Sequence, residues 1–274
     1  MTVVGGDAFA SALESSCRDL GIGLRYAIRS EEASCVYLAV HDAQGDMAVA
    51  INDMALMLVN DFVKNHGVNF PVGASEQKPA LNYLGITGAD RWVVPQAMRL
   101  LDAGSVRRLP GDRFSACMLD ANLSREALEA AAAHFDIPLV ADPVSCEKAQ
   151  RLRSILPRLT ALKPNLREAL ELTGTDSLSD AASALLDKGV KQVYISLGKD
   201  GLYCATGDQR LQLPSIPAPM GPATGAGDAM TAGLVCAIAG HQSLEECAQS
   251  GLRFAHEHLS RMAAINSVPE RNII

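Results

Sequence analysis

Ala223-Thr-Gly-Ala-Gly-Asp-Ala-Met230 opens an apolar helix with two glycines and a carboxylate in its first turn. Gly225 and Gly227 let the backbone turn tightly and bring bare N–H groups close to a ligand. At a helix N-terminus such donors point outward and the dipole favours negative charge, which suits a phosphoryl group in transit. Asp228, in that first turn, offers a carboxylate that can take a proton from an attacking hydroxyl. A plain glycine-rich helix start with Asp228 as its cap is an equal reading of this motif alone. A dinucleotide fingerprint fits poorly: Met230 stands where its third glycine belongs, and the motif lies near the C-terminus rather than at the first β-α turn.

Three further constellations carry polar groups at strand ends. In Leu162-Lys-Pro-Asn-Leu-Arg-Glu168, Pro164 stops a strand, Asn165 can cap the next helix and Glu168 falls at its third position, a capping box. Capping suffices locally; the functional reading puts both side chains at a phosphate site, with Glu168 holding magnesium through water. In Ser196-Leu-Gly-Lys-Asp-Gly201, two glycines after a buried strand suit a loop that lets a nucleotide approach the backbone, or equally a hairpin turn. Ala141-Asp-Pro143 ends a strand with a carboxylate that either supports magnesium or makes a turn. His256-Glu-His258 is set aside as a metal pair, because helix residues two apart point to nearly opposite sides. Cys117 and Cys146 read as small buried hydrophobes rather than nucleophiles.

The elements that must position these groups read as alternating strands and helices from residue 114 onward. Strands are expected at 115–119, 138–141, 159–162 and 191–196, with a pair at 201–205 and 210–213. Helices are expected at 124–135, 147–156, 165–172, 179–187, 225–239 and 243–262, with Ser124 capping the first and Gly174 and Gly189 ending two others. Such alternation implies an α/β fold, a mostly parallel sheet with helices on both faces, and ligands beyond the C-terminal strand ends. Upstream, residues 2–4 suggest a strand end, and Phe9, Leu13, Cys17 and Leu20 form one apolar face of a helix over 7–20. Two apolar runs, 35–40 and 47–51, flank a turn-rich stretch and predict a β-hairpin. Between 57 and 114 only a short helix at 95–101 and loops at 68–75 and 104–112 can be read.

Length and composition fit one globular α/β domain spanning residues 1–274, with 48% hydrophobic and 20% charged residues. A net charge of −7 argues against non-specific nucleic-acid binding, which needs a basic surface. Seven cysteines without a C-x-x-C pair read as reduced thiols rather than a disulfide frame or a zinc site. No basic region followed by an apolar run, and no apolar stretch of about 18 residues, supports a signal peptide or membrane span. A cytoplasmic location is the expectation.

The motifs are modest singly, but their order is informative: Asp142-Pro, Lys163-Pro-Asn-x-x-Glu168, Ser196-x-Gly-x-x-Gly201 and Thr224-Gly-Ala-Gly-Asp228. This series resembles the PfkB (ribokinase-like) family of carbohydrate and nucleoside kinases. Cys35-Val-Tyr-Leu38 with Ala50-Ile-Asn-Asp-Met54, Asp120-Ala-Asn-Leu-Ser124, Val140-Ala-Asp-Pro-Val-Ser145 and Gly227-Asp-Ala-Met230 are most similar to its pseudouridine kinase branch. The likeness covers residues 1–56 and 115–265.

The resemblance implies a three-layer α/β/α sandwich with a small β-hairpin lid at residues 34–53. It implies ATP-dependent phosphorylation of the 5′-hydroxyl of a nucleoside, pseudouridine first, with magnesium. The alternatives are another sugar or nucleoside, or a non-catalytic nucleotide-binding relative. It makes Asp228 the base and the amides of Gly225, Ala226 and Gly227 the anion hole. Asn165, Thr224, Ser196, Gly198 and Gly201 would serve ATP, Glu168 and Asp142 magnesium, and Tyr37 and Asn52 the lid, which is often part of a dimer contact. The likeness begins past the family's first strand, with its substrate aspartate and sugar-gripping Gly-Gly helix start; Gly5-Gly6-Asp7 resembles a later segment, and 57–114 matches nothing in the pattern.

Overall fold

The computed structural model describes residues 3–31, 34, 36–41, 47–53, 102–219 and 223–266. The chain divides into two compact units, residues 1–40 with 49–109, and residues 41–48 with 110–274.

In the first unit, β1 (Val3–Val4) pairs in parallel with β2 (Ile28–Arg29). Helix α1 (Ala8–Asp19) lies between them in sequence. Asp7 caps α1 by accepting from the Ala10 amide at 2.9 Å and holds Ser34 through both carboxylate oxygens. The Ala10 amide, then the Ser34 hydroxyl, keep the Asp7 carboxyl below its ordinary value. The apolar stripe expected to bury α1 does not do so among the described residues: Phe9, Leu13 and Leu20 are exposed, and only Ala10 is buried in the helix. Asp102 opens a short helix, α2 (Ala103–Arg107), where a loop was expected. Asp102 accepts from Ser105 N–H at 2.7 Å, a cap strong enough to start a turn despite Gly104. The stretches at 57–101, including the expected helix at 95–101, lie outside the described residues.

Strands β3 (Val36–His41) and β4 (Met47–Asp53) pair with each other as a two-stranded sheet, the expected hairpin.

The second unit carries a six-stranded sheet of consecutive neighbours, β5 (Cys117–Asp120), β6 (Leu139–Asp142), β7 (Ala161–Leu162), β8 (Gln192–Ser196), β9 (Leu202–Ala205) and β10 (Arg210–Leu213). The first four run parallel, β9 is antiparallel to β8, and β10 is antiparallel to β9, back in the direction of the first four. Between the parallel strands lie α3 (Arg125–His134), α4 (Cys146–Ala149), α5 (Leu166–Thr173) and α6 (Leu178–Asp187). With successive strands as neighbours, the general right-handedness of such crossovers places all four on one face. After β10 the chain supplies α7 (Ala226–Ala239) and α8 (Leu244–Asn266). Strand alternation records both layers: Val140, Ala161, Tyr194, Leu202 and Cys204 pack with Met230, Leu234, Cys247 and Leu252 of α7 and α8. Their neighbours Leu139, Ala141, Leu162, Val193 and Ile195 are equally buried, facing the other way.

Local signals fixed most boundaries. Ser124 and Ser177 cap α3 and α6, and Gly174 ends α5 in the left-handed region at φ 73°. The helix expected over 147–156 is instead one α-turn plus 3₁₀ turns at Gln150–Leu152 and Leu156–Arg158. Pro157 sits in the first turn of the second 3₁₀ segment and cannot donate to a preceding carbonyl. Arg153 spends its guanidinium on the Leu172 carbonyl at 3.0 Å, tying the broken segment to the end of α5. The described cysteines are all free thiols; Cys204 and Cys247 are buried, Cys117 and Cys146 partly so, and Cys236 is exposed.

Candidate active site

The C-terminal ends of β5 to β8 bring the polar residues to one edge. Asp120 pairs with Asp142 across β5 and β6. Lys163 follows β7 directly, its amide donating to the Ala141 carbonyl at 3.0 Å. Asn165 bridges in parallel to Ser196 at the end of β8. Helix α7, from the opposite layer, meets this edge: the Thr231 hydroxyl donates to Asp142 Oδ2 at 2.8 Å, and Lys163 Nζ lies 3.0 Å from the same oxygen.

Gly225 is the N-cap of α7 at φ 86°, ψ −8°, a conformation that side chains rarely adopt, so a glycine is needed here. A Cβ on Gly225 would also stand 2.9 Å from the His258 ring. His258 Nε2 lies 2.7 Å from the Thr224 carbonyl, which fixes the turn from outside the motif. Asp228 is the third residue of α7 and is exposed, as is Gly227. Among the described residues, the amides of Gly225, Gly227 and Asp228 find no acceptor, while the Ala226 amide donates to the Ala223 carbonyl at 3.1 Å. Of the amides expected to form an anion hole, that of Ala226 thus closes the turn, while those of Gly225 and Gly227 are not engaged among the described residues.

Asn165 and Glu168 form a full capping box: the Glu168 amide donates to Asn165 Oδ1 at 2.8 Å, and the Asn165 amide to Glu168 Oε2 at 2.9 Å. Burial, with Asp142 as a nearby like charge, raises the Glu168 pKa above its ordinary 4.5. Burial likewise raises Asp120, with Asp142 again a repulsive neighbour. Asn165, Leu166, Arg167, Leu178, Ser196 and Asp200 line a cleft of about 570 Å³, within the size range of small-molecule sites. A second hollow runs along α5 from Leu166 and Arg167, which it shares with that cleft, to Gly174 and Asp176.

Gly198 and Gly201 occupy the turn from β8 into β9 at φ 60° and 94°. A Cβ on Gly201 would come within 2.0 Å of the Leu213 carbonyl, so this glycine answers to β10 packed behind it. Gly198 faces open space. Asp142 is fully engaged by protein: Oδ1 accepts from the Val144 amide at 2.9 Å, and Oδ2 serves Thr231 and Lys163. Among the described residues, no three His, Cys, Asp or Glu side chains converge as a metal site. The side chains of Tyr37 and Asn52 lie outside the described residues.

Lys163, Thr231 and His258 were not assigned roles from sequence. For Lys163 a signal was present: a lysine wedged between a buried strand and a proline must find a counter-ion. Thr231 sits one turn after Gly227, and His258 belongs to another helix, so neither advertises its contact.

The pfkB family carbohydrate kinase model matches residues 100–271. The chain belongs to that family. Its homologues are kinases, among them pseudouridine kinase of Escherichia coli (strain K12), 26% identical over 248 residues, 85% of this chain and 65% of that protein. Cytidine kinase of Thermococcus kodakarensis is 38% identical over 112 residues, 40% of each. The chain thus spans 40% and 65% of the length of these two curated relatives. A ribokinase from Thermotoga maritima aligns with a TM-score of 0.67 at 19% identity, over 97% of this chain and 76% of that one. A nucleoside kinase of Burkholderia thailandensis, solved with inosine, gives 0.66 at 15% identity, over 96% and 76%. These establish the ribokinase-like α/β fold of the pfkB family. Among the described residues no helix is long and apolar enough to cross a membrane.

Proposed function

We propose that this pfkB-family chain transfers the γ-phosphoryl group of ATP to the 5′-hydroxyl of a nucleoside, with pseudouridine as the preferred acceptor. The observation that carries the reading is an exposed Asp228 beside amides of Gly225, Gly227 and Asp228 that have no acceptor among the described residues. In the step, the 5′-oxygen attacks the γ-phosphorus while its proton passes to the Asp228 carboxylate. The bond from γ-phosphorus to the bridging oxygen breaks and ADP leaves with that electron pair. The amides meet the charge on the transferring oxygens, a contribution of about 10²–10³ in rate for one such donor. Little covalent work is asked of the protein; position and charge do the rest.

The cleft lined by Asn165 and Ser196 is our site for the nucleotide, with Gly198 leaving its backbone open and Thr224 at the rim of the helix start. Glu168 is the residue we assign to magnesium, through water. The ion would supply neutralisation of phosphate charge. Asp142, its oxygens already engaged, would act on the ion only indirectly. We assign the hairpin of β3 and β4, with Tyr37 and Asn52, to a lid over the sugar and to a dimer contact. A nucleoside acceptor is supported by likeness to both a pseudouridine kinase and a cytidine kinase.

A coupled ATP-consumption assay over pseudouridine, cytidine, inosine and ribose, with Asp228→Asn alongside, tests the reading. Pseudouridine-dependent ADP release that Asp228→Asn abolishes is the expected result. Turnover that the variant leaves intact rules the base assignment out, and preference for another acceptor rules out pseudouridine.

A further inference from the structure

A buried charge network lies directly under the start of α7, and its contacts converge on one carbonyl. Lys163, Asp142 and Thr231 are 5%, 6% and 0% exposed. Lys163 Nζ lies 3.0 Å from Asp142 Oδ2 and 3.4 Å from the Gly227 carbonyl. The Thr231 hydroxyl lies 2.8 Å from Asp142 Oδ2 and 3.0 Å from that same Gly227 carbonyl. Three separate segments, the end of β6, the residue after β7, and α7, are thereby fastened at the first turn of α7.

The Gly227 carbonyl and the Asp228 amide are opposite ends of one planar peptide. Holding the oxygen fixes the direction of the N–H. That N–H has no acceptor among the described residues. The ammonium also approaches Gly227 so closely that a Cβ there would stand 3.2 Å from Nζ. A side chain at Gly227 would therefore press on the Lys163 ammonium.

We propose that Lys163, held in place by Asp142 and by the Thr231 hydroxyl bound to that carboxylate, clamps the Gly227 carbonyl and so positions the Asp228 amide and carboxylate for phosphoryl transfer. None of the three touches substrate; they are positioning residues. The inference rests on the phosphoryl-transfer reading above. It goes further by tying the rate of the step to a hydroxyl on the buried side of α7.

Thr231→Val keeps the side-chain volume and removes the hydroxyl, whereas Thr231→Ser keeps the hydroxyl. Misaiming one donor and the base should lower kcat by roughly ten- to a hundredfold in Thr231→Val. KM for ATP should stay within about twofold, because the nucleotide cleft is lined by other residues. Thr231→Ser should recover most of the loss. Independently of activity, the Gly227 carbonyl-carbon and Asp228 amide NMR resonances should shift in Thr231→Val and return in Thr231→Ser. Unmoved resonances overturn the clamp, as does a Thr231→Val enzyme with wild-type kcat, or a kcat loss that Thr231→Ser shares in full. Shifted resonances in a chain that phosphorylates no acceptor leave the clamp as a structural contact and remove the phosphoryl-transfer reading instead.

Discussion

Replacing Lys163 by methionine should destabilise the second unit far more than its loss of side-chain contacts implies. The variant leaves the Asp142 carboxylate, 6% exposed, facing a space that held an ammonium 3.0 Å away. Two donors remain, the Thr231 hydroxyl and the Val144 amide, but among the described residues no other cation pairs with this carboxylate. Breaking a buried pair by removing one partner costs about 3–5 kcal/mol, a large share of the ~5–15 kcal/mol that holds a domain folded. At roughly 2–4 °C per kcal/mol for a chain of this size, Tm should fall by roughly 6–20 °C. Lys163→Met with Asp142→Asn removes the stranded charge, and the pair should recover at least half of the loss. Thermal unfolding followed by circular dichroism, with urea titration for the free energies, gives the double-mutant cycle directly. A single variant within about 1 kcal/mol of wild type, or a double variant no more stable than the single, refutes the buried-pair argument.

Three other outcomes follow from the same geometry. Gly225→Ala should lose about 1–2 kcal/mol from its left-handed φ alone, and more from contact with His258; adding His258→Ala should return only the contact part, as seen by urea titration. Gly201→Ala cannot be relieved by a side-chain change, because its Cβ meets the Leu213 carbonyl; beyond about 1–3 kcal/mol of backbone strain, β10 should detach, visible as lost amide protection across Arg210–Leu213. Glu168 has a raised pKa in the folded protein, so the folded state holds its proton more tightly than the unfolded one and stability falls as pH rises through that window. The Tm of wild type relative to Glu168→Gln should therefore decline from pH 4 upward; a flat difference removes the desolvation argument.

Sequence made the second unit legible because its local chemistry and its tertiary burden agree. Ser124, Asn165 and Gly174 sit at helix ends where capping and left-handed geometry need them, and the strands between are apolar on both faces. Legibility failed where a distant partner decides. The apolar face of α1 met the periodicity of a buried helix yet stands exposed among the described residues, since periodicity names a face but not what covers it. The segment after α4 looked helical by pattern and is broken by Pro157 and by the Arg153 contact to α5. At the site, motif spacing named Asp228 and its glycines. The Lys163–Asp142–Thr231 network was hidden because its members come from three segments and meet only when β6, β7 and α7 share one sheet edge.

Transfer of radiolabelled γ-phosphate from ATP to pseudouridine, with the product identified by chromatography, addresses the proposed chemistry most directly. Wild-type protein should form labelled pseudouridine 5′-phosphate, and Asp228→Asn should form it about 10²–10⁴-fold more slowly while still binding ATP. Label that never leaves ATP for the nucleoside, or an Asp228→Asn protein as fast as wild type, contradicts the assignment.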